Sequence, residues 1–397
     1  MAAADPMSCT AIILPPRPMS FHPIAGIPLI QRTALSALRS GFDAVVAVAP
    51  EDGVALRALF ARDPRTAVIP VVGNALAATI ATEHVALIPS DCLVDASTLG
   101  RVHATPCNGR PVVLQANGSG AAIVLGPRSF LSAFDAREPL QAARAAESET
   151  VALDGALCVP VSDVRSADAA EQALVRQLAA STADTDGPIA RLDRALSTRL
   201  SRYLVRTALR PNHITVIGTA IGFLGAWCLA QGTYGFGVLG TLLFWFAVII
   251  DGCDGEVARL KFQESRLGYV LDVTTDNIVH VAIFIGMGIG LYRAAPDGNL
   301  LGLVVLLVGG FCCATAATML TLARQAPPQN LQPCSARGKL RQYLLRAFAA
   351  LMNRDFAYGL VVLALIGHLN WFVWGAAFGT YIYAAALVVV YRWRDAD

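Results

Sequence analysis

The chain has 397 residues, of which 55% are hydrophobic and only 15% are charged, and its mean hydropathy is +0.53. This composition is too apolar for an ordinary soluble protein of this length, so a membrane protein is expected. The formal net charge of +2 is too small to indicate a nucleic-acid-binding protein, so no nucleic-acid partner is expected.

Cysteine usage and the N-terminus narrow the class of protein further. The nine cysteines are scattered, without CxxC or Cys/His ligand spacing, so neither a zinc site nor a disulfide framework is supported. The N-terminus has no basic stretch followed by an apolar segment. We therefore expect no signal peptide, and we expect the first ~200 residues to stay in the cytosol.

Residues 1–178 alternate short apolar runs with Ala/Leu/Arg-rich segments. The runs AIIL, DAVVAVA and HVALIP are typical of buried strands, and IQRTALSALRSG and GVALRALFARD have helical periodicity. Alternating strands and helices predict an α/β domain with a Rossmann-type layered, largely parallel sheet.

A linker and a juxtamembrane helix are predicted at 179–210. The linker is the polar, turn-rich segment AASTADTDGP at 179–188. Beyond it, Leu192, Leu196, Leu200 and Leu204 recur at every fourth position, with arginines between them. This spacing predicts an amphipathic helix on the membrane surface, and a solvated linker helix is the alternative.

Residues 211–397 contain six apolar stretches, most of them near the ~20 residues that a bilayer requires. They predict an all-α membrane domain of six transmembrane helices. The predicted spans are 213–230, 236–259, 268–292, 300–323, 355–369 and 371–391, of which the fifth is short.

The distribution of basic residues orients these spans. Arginine and lysine lie before the first span, between the second and third, between the fourth and fifth, and after the sixth, whereas only Arg293 falls in an opposite loop. Because basic residues favour cytoplasmic loops, we predict an inner or plasma membrane protein with both termini and residues 251–276 on the cytoplasmic side.

Residues 251–276, DGCDGEVARLKFQESRLGYVLDVTTD, place four aspartates between two apolar spans. Asp251 and Asp254 are three apart on one predicted helix, and Asp272 and Asp276 are four apart on the next, so each pair projects from one helical face. Charges near hydrocarbon are costly and are usually functional. Four converging carboxylates would repel one another, so they must be protonated or bind cations.

This arrangement predicts a magnesium or manganese site. Hard oxygen ligands suit Mg²⁺ or Mn²⁺, which prefer a few carboxylates together with substrate phosphate oxygens, and a pair of such ions would clamp a diphosphate. Gly255 and Ala258 share the face of the first two aspartates and would let a nucleotide approach the backbone. Gly268 would permit close helix packing, and Arg259 could hold phosphate or pair with a carboxylate.

The same stretch resembles the CDP-alcohol phosphotransferases. It fits D-x2-D-G-x2-A-R-x8-G-x3-D-x3-D at every fixed position, and RPNHITVIG at 210–218 is similar to the P-N-x-x-T sequence that enters the family's first span. The resemblance implies a membrane enzyme of phospholipid or polyol-phosphate biosynthesis. Such an enzyme moves a substituted phosphate from a CDP-alcohol to a hydroxyl acceptor, releases CMP and forms a homodimer.

The resemblance also implies roles for individual residues. Two ions, Mg²⁺ or Mn²⁺, would be held by Asp251, Asp254, Asp272 and Asp276. Asp276 would also act as the catalytic base on the attacking hydroxyl. The nucleotide would be bound by Asp251, Asp254, Gly255, Ala258, Arg259, Gly268 and Thr215. His280, one turn after Asp276, is interpreted as a packed polar residue and not as a catalyst.

The first domain resembles the sugar-phosphate nucleotidyltransferases, with departures. GIPLIQRTALSALRSG is similar to a family element, and Asp91 in VALIPSDCLVDASTL looks like the metal-binding aspartate. The family's glycine-rich loop and lysine, which cradle a triphosphate, are replaced by AIILPPRPMSFHPIAGIPL. Here Pro15 and Pro16 lack amide donors, and His22 stands near the lysine position. Arg165 replaces an expected second metal aspartate, so we predict that the fold is retained and nucleotidyl transfer is lost.

Fusion of these two domains resembles the bifunctional inositol-1-phosphate cytidylyltransferases and di-myo-inositol-phosphate-phosphate synthases. That resemblance implies a bifunctional enzyme whose first domain makes CDP-inositol or a similar CDP-polyol. If the first domain is inactive, the donor comes from elsewhere, as CDP-diacylglycerol or a CDP-linked head group. The first domain would then serve docking or stability.

The acceptor is either a polyol phosphate or a lipid. A phosphate-bearing acceptor needs basic residues nearby, and the candidates for binding it are Lys339, Arg341 and Arg354. Positive-inside topology and attraction to anionic lipid explain the same charges. Two alternatives of other classes stay open, a transporter with an acidic site and a non-catalytic binding protein.

Overall fold

The computed structural model describes residues 8–49, 53–73, 79–107, 109–116, 122–133, 148–183, 188–296, 299–321 and 356–392. The chain divides into two compact units, Met1–Ser181 and Thr182–Asp397, which we call the first unit and the membrane unit. The three candidate acceptor residues, Lys339, Arg341 and Arg354, lie outside the described residues.

Over its described residues, the first unit contains eleven strands. They are β1 (Cys9–Ile13), β2 (Pro23–Ile24), β3 (Ile27–Pro28), β4 (Ala44–Val48), β5 (Val71–Val72), β6 (His84–Ile88), β7 (Cys92–Val94), β8 (Val112–Ala116), β9 (Ala122–Pro127), β10 (Glu149–Leu153) and β11 (Cys158–Pro160). Seven form one sheet in the order β10-β8-β9-β6-β1-β4-β5, and two small antiparallel pairs, β11-β7 and β2-β3, stand apart from it. Neighbours in the large sheet are parallel except β9, which is antiparallel to β6 and β8.

In the described part of the same unit, four α-helices accompany these strands. They are α1 (Leu29–Arg39), α2 (Val54–Ala61), α3 (Ala96–His103) and α4 (Val164–Ala183), and single 3₁₀ turns lie at Pro18–Phe21 and Arg128–Ala133. The alternation of strands and helices around a largely parallel sheet confirms the predicted α/β layered fold.

Both faces of the central sheet are buried, which explains the continuous apolar runs in the sequence. Successive side chains of a strand point to opposite faces. Ala11 and Ile13 of β1 accordingly belong to one core cluster, which includes residues of α1, α2 and α3. Ile12 of the same strand belongs to a second cluster, with Phe130 and Leu131.

The membrane unit is all α-helical over its described residues. Its helices are α5 (Pro188–Leu204), α6 (Pro211–Leu229), α7 (Tyr234–Leu260), α8 (Arg266–Ala294), α9 (Leu300–Thr321), α10 (Phe356–Leu365) and α11 (Leu369–Arg392). Helices α6, α7, α8, α9 and α11 are long and apolar enough to cross a membrane. The fifth predicted span is described only as the 10-residue helix α10, which is about 15 Å long.

Glycines let α6 pack closely against both α7 and α8. A Cβ atom on Gly240 of α7 would lie 2.8 Å from the carbonyl oxygen of Gly225 on α6. A Cβ atom on Gly222 of α6 would lie 2.5 Å from Cγ1 of Val279 on α8. Small residues at such contacts allow helix backbones to approach in membrane proteins. The two helices that carry the aspartates are therefore both held by α6.

Helix α5 packs on α7 through part of its leucine stripe. Leu200 and Leu204 pack against a buried cluster that includes Ile250 and Val257 of α7, whereas Leu192 is exposed. The C-terminal half of the stripe is thus a contact with the helix bundle. Placement of the rest on a membrane surface stays a prediction.

Candidate active site

The candidate site forms where α7 ends and α8 begins. The last turns of α7 carry the first two aspartates, and the chain reverses direction over 261–265, with Phe262 in the left-handed conformation at φ 55°. Ser265 caps α8, because its side chain accepts a hydrogen bond from the backbone N–H of Gly268. This short connection places the first turns of α8 beside the last turns of α7.

Three of the four predicted metal-binding aspartates come together. One carboxylate oxygen from each of Asp251, Asp254 and Asp272 lies within 4.8 Å of the other two. Asp254 is only 5% exposed. The hydroxyl of Thr215 on α6 donates a hydrogen bond to Asp254 Oδ2. A third helix therefore orients a carboxylate of the cluster.

The geometry of this cluster fits a hard divalent cation. Two oxygens bound to one Mg²⁺ at about 2.1 Å lie at most about 4.2 Å apart, so small side-chain rotations would bring the three oxygens to one ion. Three carboxylates at this separation repel one another strongly where water is scarce. Within the described part of the chain, this is the one group of three or more acidic, His or Cys side chains with such spacing.

Asp276 lies outside that group of three and faces a cavity. Its side chain is 39% exposed, and its Oδ1 is 3.3 Å from His280 Nδ1. The same Nδ1 atom is 2.7 Å from the backbone oxygen of Asp276. His280 is otherwise surrounded by the rings of Phe244, Phe311 and Phe356. Asp272 and Asp276 both line the cavity, whose volume is about 950 Å³.

The predicted nucleotide-binding residues lie around the end of α7. A Cβ atom on Gly255 would meet nothing closer than Arg259 Nη2, at 3.9 Å, so this surface is open to a ligand. Arg259 is exposed and Ala258 is partly exposed. Gly268 lies in the first turn of α8, where an added Cβ atom would be 3.0 Å from Oγ of Ser265 and 3.4 Å from Oδ1 of Asn212.

Asn212 was missed as a site residue by the sequence reasoning. Its position between the first turns of α6 and α8 follows from its distance to Gly268. The signal that could have identified it was present, because the asparagine is a fixed position of the P-N-x-x-T sequence at 211–215.

Glu256 was also missed, and it connects α7 to α5. The side chain is 3% exposed, and its Oε1 accepts hydrogen bonds from the hydroxyls of Ser197 (2.7 Å) and Thr198 (3.2 Å). A buried carboxylate is stable only when such donors surround it. The sequence shows this glutamate beside the aspartates of the same helix, but it does not show that Ser197 and Thr198 would lie opposite it.

Lys261 holds the segment that leads into α6. Its ammonium group donates hydrogen bonds to the carbonyl oxygens of Thr207 (2.8 Å) and Leu209 (2.9 Å). Burial lowers the pKa of this side chain below its usual value. The lysine thereby joins the residue after α7 to the chain that precedes Thr215.

In the first unit, the predicted metal-binding aspartate is paired with an arginine. Arg17 Nη1 lies 2.9 Å from Asp91 Oδ2. The loop that carries Arg17 is held in place by Ser90, whose hydroxyl donates to the carbonyl oxygen of Pro15 at 2.6 Å and accepts from Ser20 at 3.0 Å. The guanidinium of Arg17 thus places a positive charge next to Asp91, where the sequence predicted a metal ion.

Comparison with protein families finds a match in the membrane unit. Residues 208–390 match the family of CDP-alcohol phosphatidyltransferases. A "Bifunctional IPC transferase and DIPP synthase" from Rubrobacter xylanophilus is 35% identical over 106 residues, which are 26% of this chain and 24% of that protein. A "Phosphatidylinositol phosphate synthase" from Mycobacterium tuberculosis is 36% identical over 92 residues, which are 23% of this chain and 42% of that protein. The chain thus spans less than half the length of these relatives.

Two solved structures show lower similarity. The crystal structure of Mycobacterium tuberculosis phosphatidylinositol phosphate synthase with CDP-DAG bound has a TM-score of 0.34 and 20% identity, covering 51% of this chain and 98% of that chain. The structure of the inositol-1-phosphate CTP transferase from T. maritima has a TM-score of 0.33 and 12% identity, covering 42% of this chain and 96% of that chain.

Proposed function

We propose that the membrane unit, whose residues 208–390 form a CDP-alcohol phosphatidyltransferase domain, transfers a substituted phosphate from a CDP-alcohol to a hydroxyl acceptor and releases CMP. The observation that carries this proposal is the meeting of Asp251, Asp254 and Asp272 within 4.8 Å. Three carboxylates gathered at the end of apolar helices need cations, and a cation site of this kind suits a diphosphate.

The residues of the site have different roles in this reaction, and Asp276 has two. Asp251, Asp254, Asp272 and Asp276 would hold two divalent ions, Mg²⁺ or Mn²⁺, which when bound neutralise the charge of the diphosphate. Thr215 orients Asp254. The open surface at Gly255 and Ala258 accepts the nucleotide, and Arg259 lies beside it to pair with a phosphate. Gly268 keeps the start of α8 close to α6.

The chemical step follows from the position of Asp276 on the cavity. The acceptor oxygen forms a bond to the β-phosphorus, while the bond between that phosphorus and the oxygen bridging to the α-phosphate breaks. CMP leaves with the bonding electron pair. The carboxylate of Asp276 takes the hydroxyl proton of the acceptor as general base, and the hydrogen-bonding contact with His280 holds the base in place.

The direct test of this function is CMP release by the purified full-length protein. The assay supplies CDP-diacylglycerol, CDP-inositol or CDP-glycerol with Mg²⁺ and a panel of acceptors, and identifies products by mass spectrometry. We expect Asp276→Asn to lower turnover at least a thousandfold while CDP affinity changes less than threefold, because ligation is shared but the base is single. Glu264→Gln, an exposed carboxylate of the same connection, is the control. Normal turnover by Asp276→Asn contradicts the base assignment, and a lack of CMP release with every donor contradicts the function.

We also propose that the first unit does not transfer nucleotidyl groups. The Arg17 guanidinium pairs with the Asp91 carboxylate that a metal ion would need. Pro15 and Pro16, which directly precede Arg17, lack the backbone N–H donors that a triphosphate would need. The expected result is no pyrophosphate from CTP and inositol 1-phosphate, for the native chain and for Arg17→Ala alike. Pyrophosphate release by the native chain would establish the bifunctional alternative, to which the name of one relative refers.

The finer features of the membrane unit are proposals as well. We place the aspartates and both termini on the cytoplasmic side of an inner or plasma membrane, and we propose a homodimer. Equilibrium dialysis with Mn²⁺ and CDP counts the ions per chain, with two expected for the native protein. Light scattering of the detergent complex reports the oligomeric state.

A further inference from the structure

The cavity beside Asp276 is long and lies between four helices. Its described lining comes from α8, α9, α10 and α11, and none of it comes from α6 or α7. Along α8 the lining runs from Asp272 to Phe284, and along α11 from Trp371 to Tyr383. Each stretch corresponds to about 18 Å of helix, which is more than half of the hydrocarbon thickness of a bilayer. The cavity therefore has the shape of a chain-like ligand.

Aromatic and aliphatic side chains dominate its walls. The aromatic rings that line it belong to Phe284, Phe311, Phe356, Trp371, Phe372 and Tyr383, together with the imidazole of His280. Asp272 and Asp276 are the acidic groups of the described lining, and no arginine or lysine occurs among the described lining residues. A volume of about 950 Å³ is at the upper end of the range for small-molecule pockets.

Three polar side chains of the lining are bonded to their own helices, whereas the hydroxyl of Thr315 is buried without a hydrogen-bond partner. The hydroxyl of Thr380 donates to Ala376 O at 2.7 Å, and that of Thr318 donates to Ala314 O at 2.9 Å. Asn277 Nδ2 donates to Val273 O at 2.6 Å. Such groups offer a ligand few free donors, so the walls favour hydrocarbon over a polyol.

The position of the cavity relative to the predicted nucleotide-binding residues indicates which substrate binds in it. Gly255, Ala258 and Arg259 belong to α7, which contributes nothing to the described lining, whereas the base Asp276 does line the cavity. In an in-line transfer the attacking hydroxyl approaches from the side opposite the leaving CMP. The cavity is therefore on the side of the acceptor.

Resting on the proposed function, we propose that the acceptor is a lipid alcohol whose hydrocarbon body fills the cavity between α8, α9, α10 and α11 and whose hydroxyl reaches Asp276. The two carboxylates at one end and the apolar walls along the remaining length match the two ends of such a molecule. Burial of its chain against these walls supplies binding free energy through the hydrophobic effect.

Substitution of either of two glycines would place a side chain in the cavity. A Cβ atom on Gly375 or Gly379 of α11 would meet nothing within 4 Å, and both residues line the cavity. Gly375→Leu and Gly379→Leu therefore fill the space without striking a neighbour at Cβ. Gly359 of α10 is exposed, as Gly375 and Gly379 are, and also has nothing within 4 Å of an added Cβ atom, but it is not a lining residue. Gly359→Leu is the matched control.

The experiment measures CMP release by the full-length protein from CDP-diacylglycerol, CDP-inositol or CDP-glycerol. The acceptor is either dioctanoylglycerol in micelles or myo-inositol 1-phosphate. The native protein is expected to use dioctanoylglycerol. Gly375→Leu and Gly379→Leu are expected to lower kcat/KM for it at least tenfold, while Gly359→Leu changes it less than twofold. Exclusive use of myo-inositol 1-phosphate overturns the proposal, and so does an unchanged kcat/KM in the filled variants. If the protein uses only myo-inositol 1-phosphate, Arg354→Ala should raise KM for myo-inositol 1-phosphate.

Two further readouts separate the possible failures. If the filled variants raise KM for CDP-diacylglycerol and leave the acceptor KM unchanged, the chain in the cavity belongs to the donor and the assignment to the acceptor is wrong. Binding is also measured without turnover, with a photoactivatable diazirine derivative of hexadecanol. Label on α9 or α11 of the native protein that is lost in Gly379→Leu and kept in Gly359→Leu supports hydrocarbon binding even where no donor releases CMP. Equal labelling of all three proteins contradicts it.

Discussion

The hydroxyl of Thr215 on α6 donates a hydrogen bond to Asp254 of α7, the buried carboxylate of the aspartate cluster. In the proposed site, Thr215 would therefore act on a metal ligand and not on the ion itself. Partners of this kind set the orientation and the charge of a metal ligand. Their loss weakens metal binding without removing a ligand.

A prediction at the residue scale follows from this contact. Thr215→Val keeps the shape of the side chain and removes the hydrogen bond, so the Mg²⁺ concentration for half-maximal CMP release should rise by about 10–100-fold. The control is Thr219→Val, one turn along α6, where the hydroxyl donates only to the backbone oxygen of Thr215 at 2.8 Å. Equal Mg²⁺ requirements for the two variants would show that Thr215 does not orient the ligand.

Helix α6 is the element that fixes the site, because it contacts both helices that carry aspartates. Added Cβ atoms at Gly286 and Gly290 of α8 would strike the carbonyl oxygens of Ala226 and Leu229 on α6. These contacts involve backbone atoms, which cannot rotate away as a side chain can. The approach of α8 to α6 therefore depends on the absence of side chains at these positions.

At the element scale, we expect Gly286→Ala to separate α8 from α6. Overpacking of this kind costs about 1–3 kcal/mol, so the thermal unfolding temperature in detergent should fall by several degrees and CMP release should fall with it. Gly235→Ala on α7, where an added Cβ atom meets nothing within 4 Å, should leave both unchanged. A stable, fully active Gly286→Ala protein would show that the helices tolerate a wider separation.

At the scale of the whole molecule, the distribution of basic residues predicts the orientation of the chain in the membrane. Basic residues of the sequence concentrate in alternate connections between the predicted spans, whereas Arg293 lies in the last turn of α8, before one of the other connections. This distribution predicts cytoplasmic termini. A fluorescent-protein fusion after residue 397 should therefore be bright in a bacterial host, and an alkaline phosphatase fusion there should be inactive. Phosphatase fused after Ala295, in the connection between α8 and α9, should be active. The reverse pattern of activities means that the orientation is inverted.

Local patterns accounted for many elements of both units, but not for α4, which continues to Ala183 through the first half of the segment predicted as a linker at 179–188. Runs such as AIIL and HVALIP correspond to β1 and β6, and five of the six apolar stretches correspond to helices long enough to span a membrane. These features depend on side-chain periodicity and hydropathy over some 5–25 neighbouring residues, which the sequence displays directly. The fifth stretch was the weakest, and its described helix has only 10 residues.

Contacts between distant residues could not be obtained in this way. Spacing placed Asp251 with Asp254 and Asp272 with Asp276, but it did not show that Asp272 joins the first pair while Asp276 faces a cavity. Nor did it show that Arg17 would pair with Asp91, 74 positions later, or that Ser197 would bond to Glu256, 59 positions later. Each of these depends on how whole helices and strands pack.

The sequence by itself determined the α/β first unit, the apolar helices and the aspartate motif, because each is written in residues that are neighbours along the chain. Only the tertiary structure decided which carboxylates share one position, which side of Asp276 is open and how apolar that opening is. The physical reason is that these properties arise from the close approach of separate helices, which glycine contacts on α6 permit and which no local pattern records.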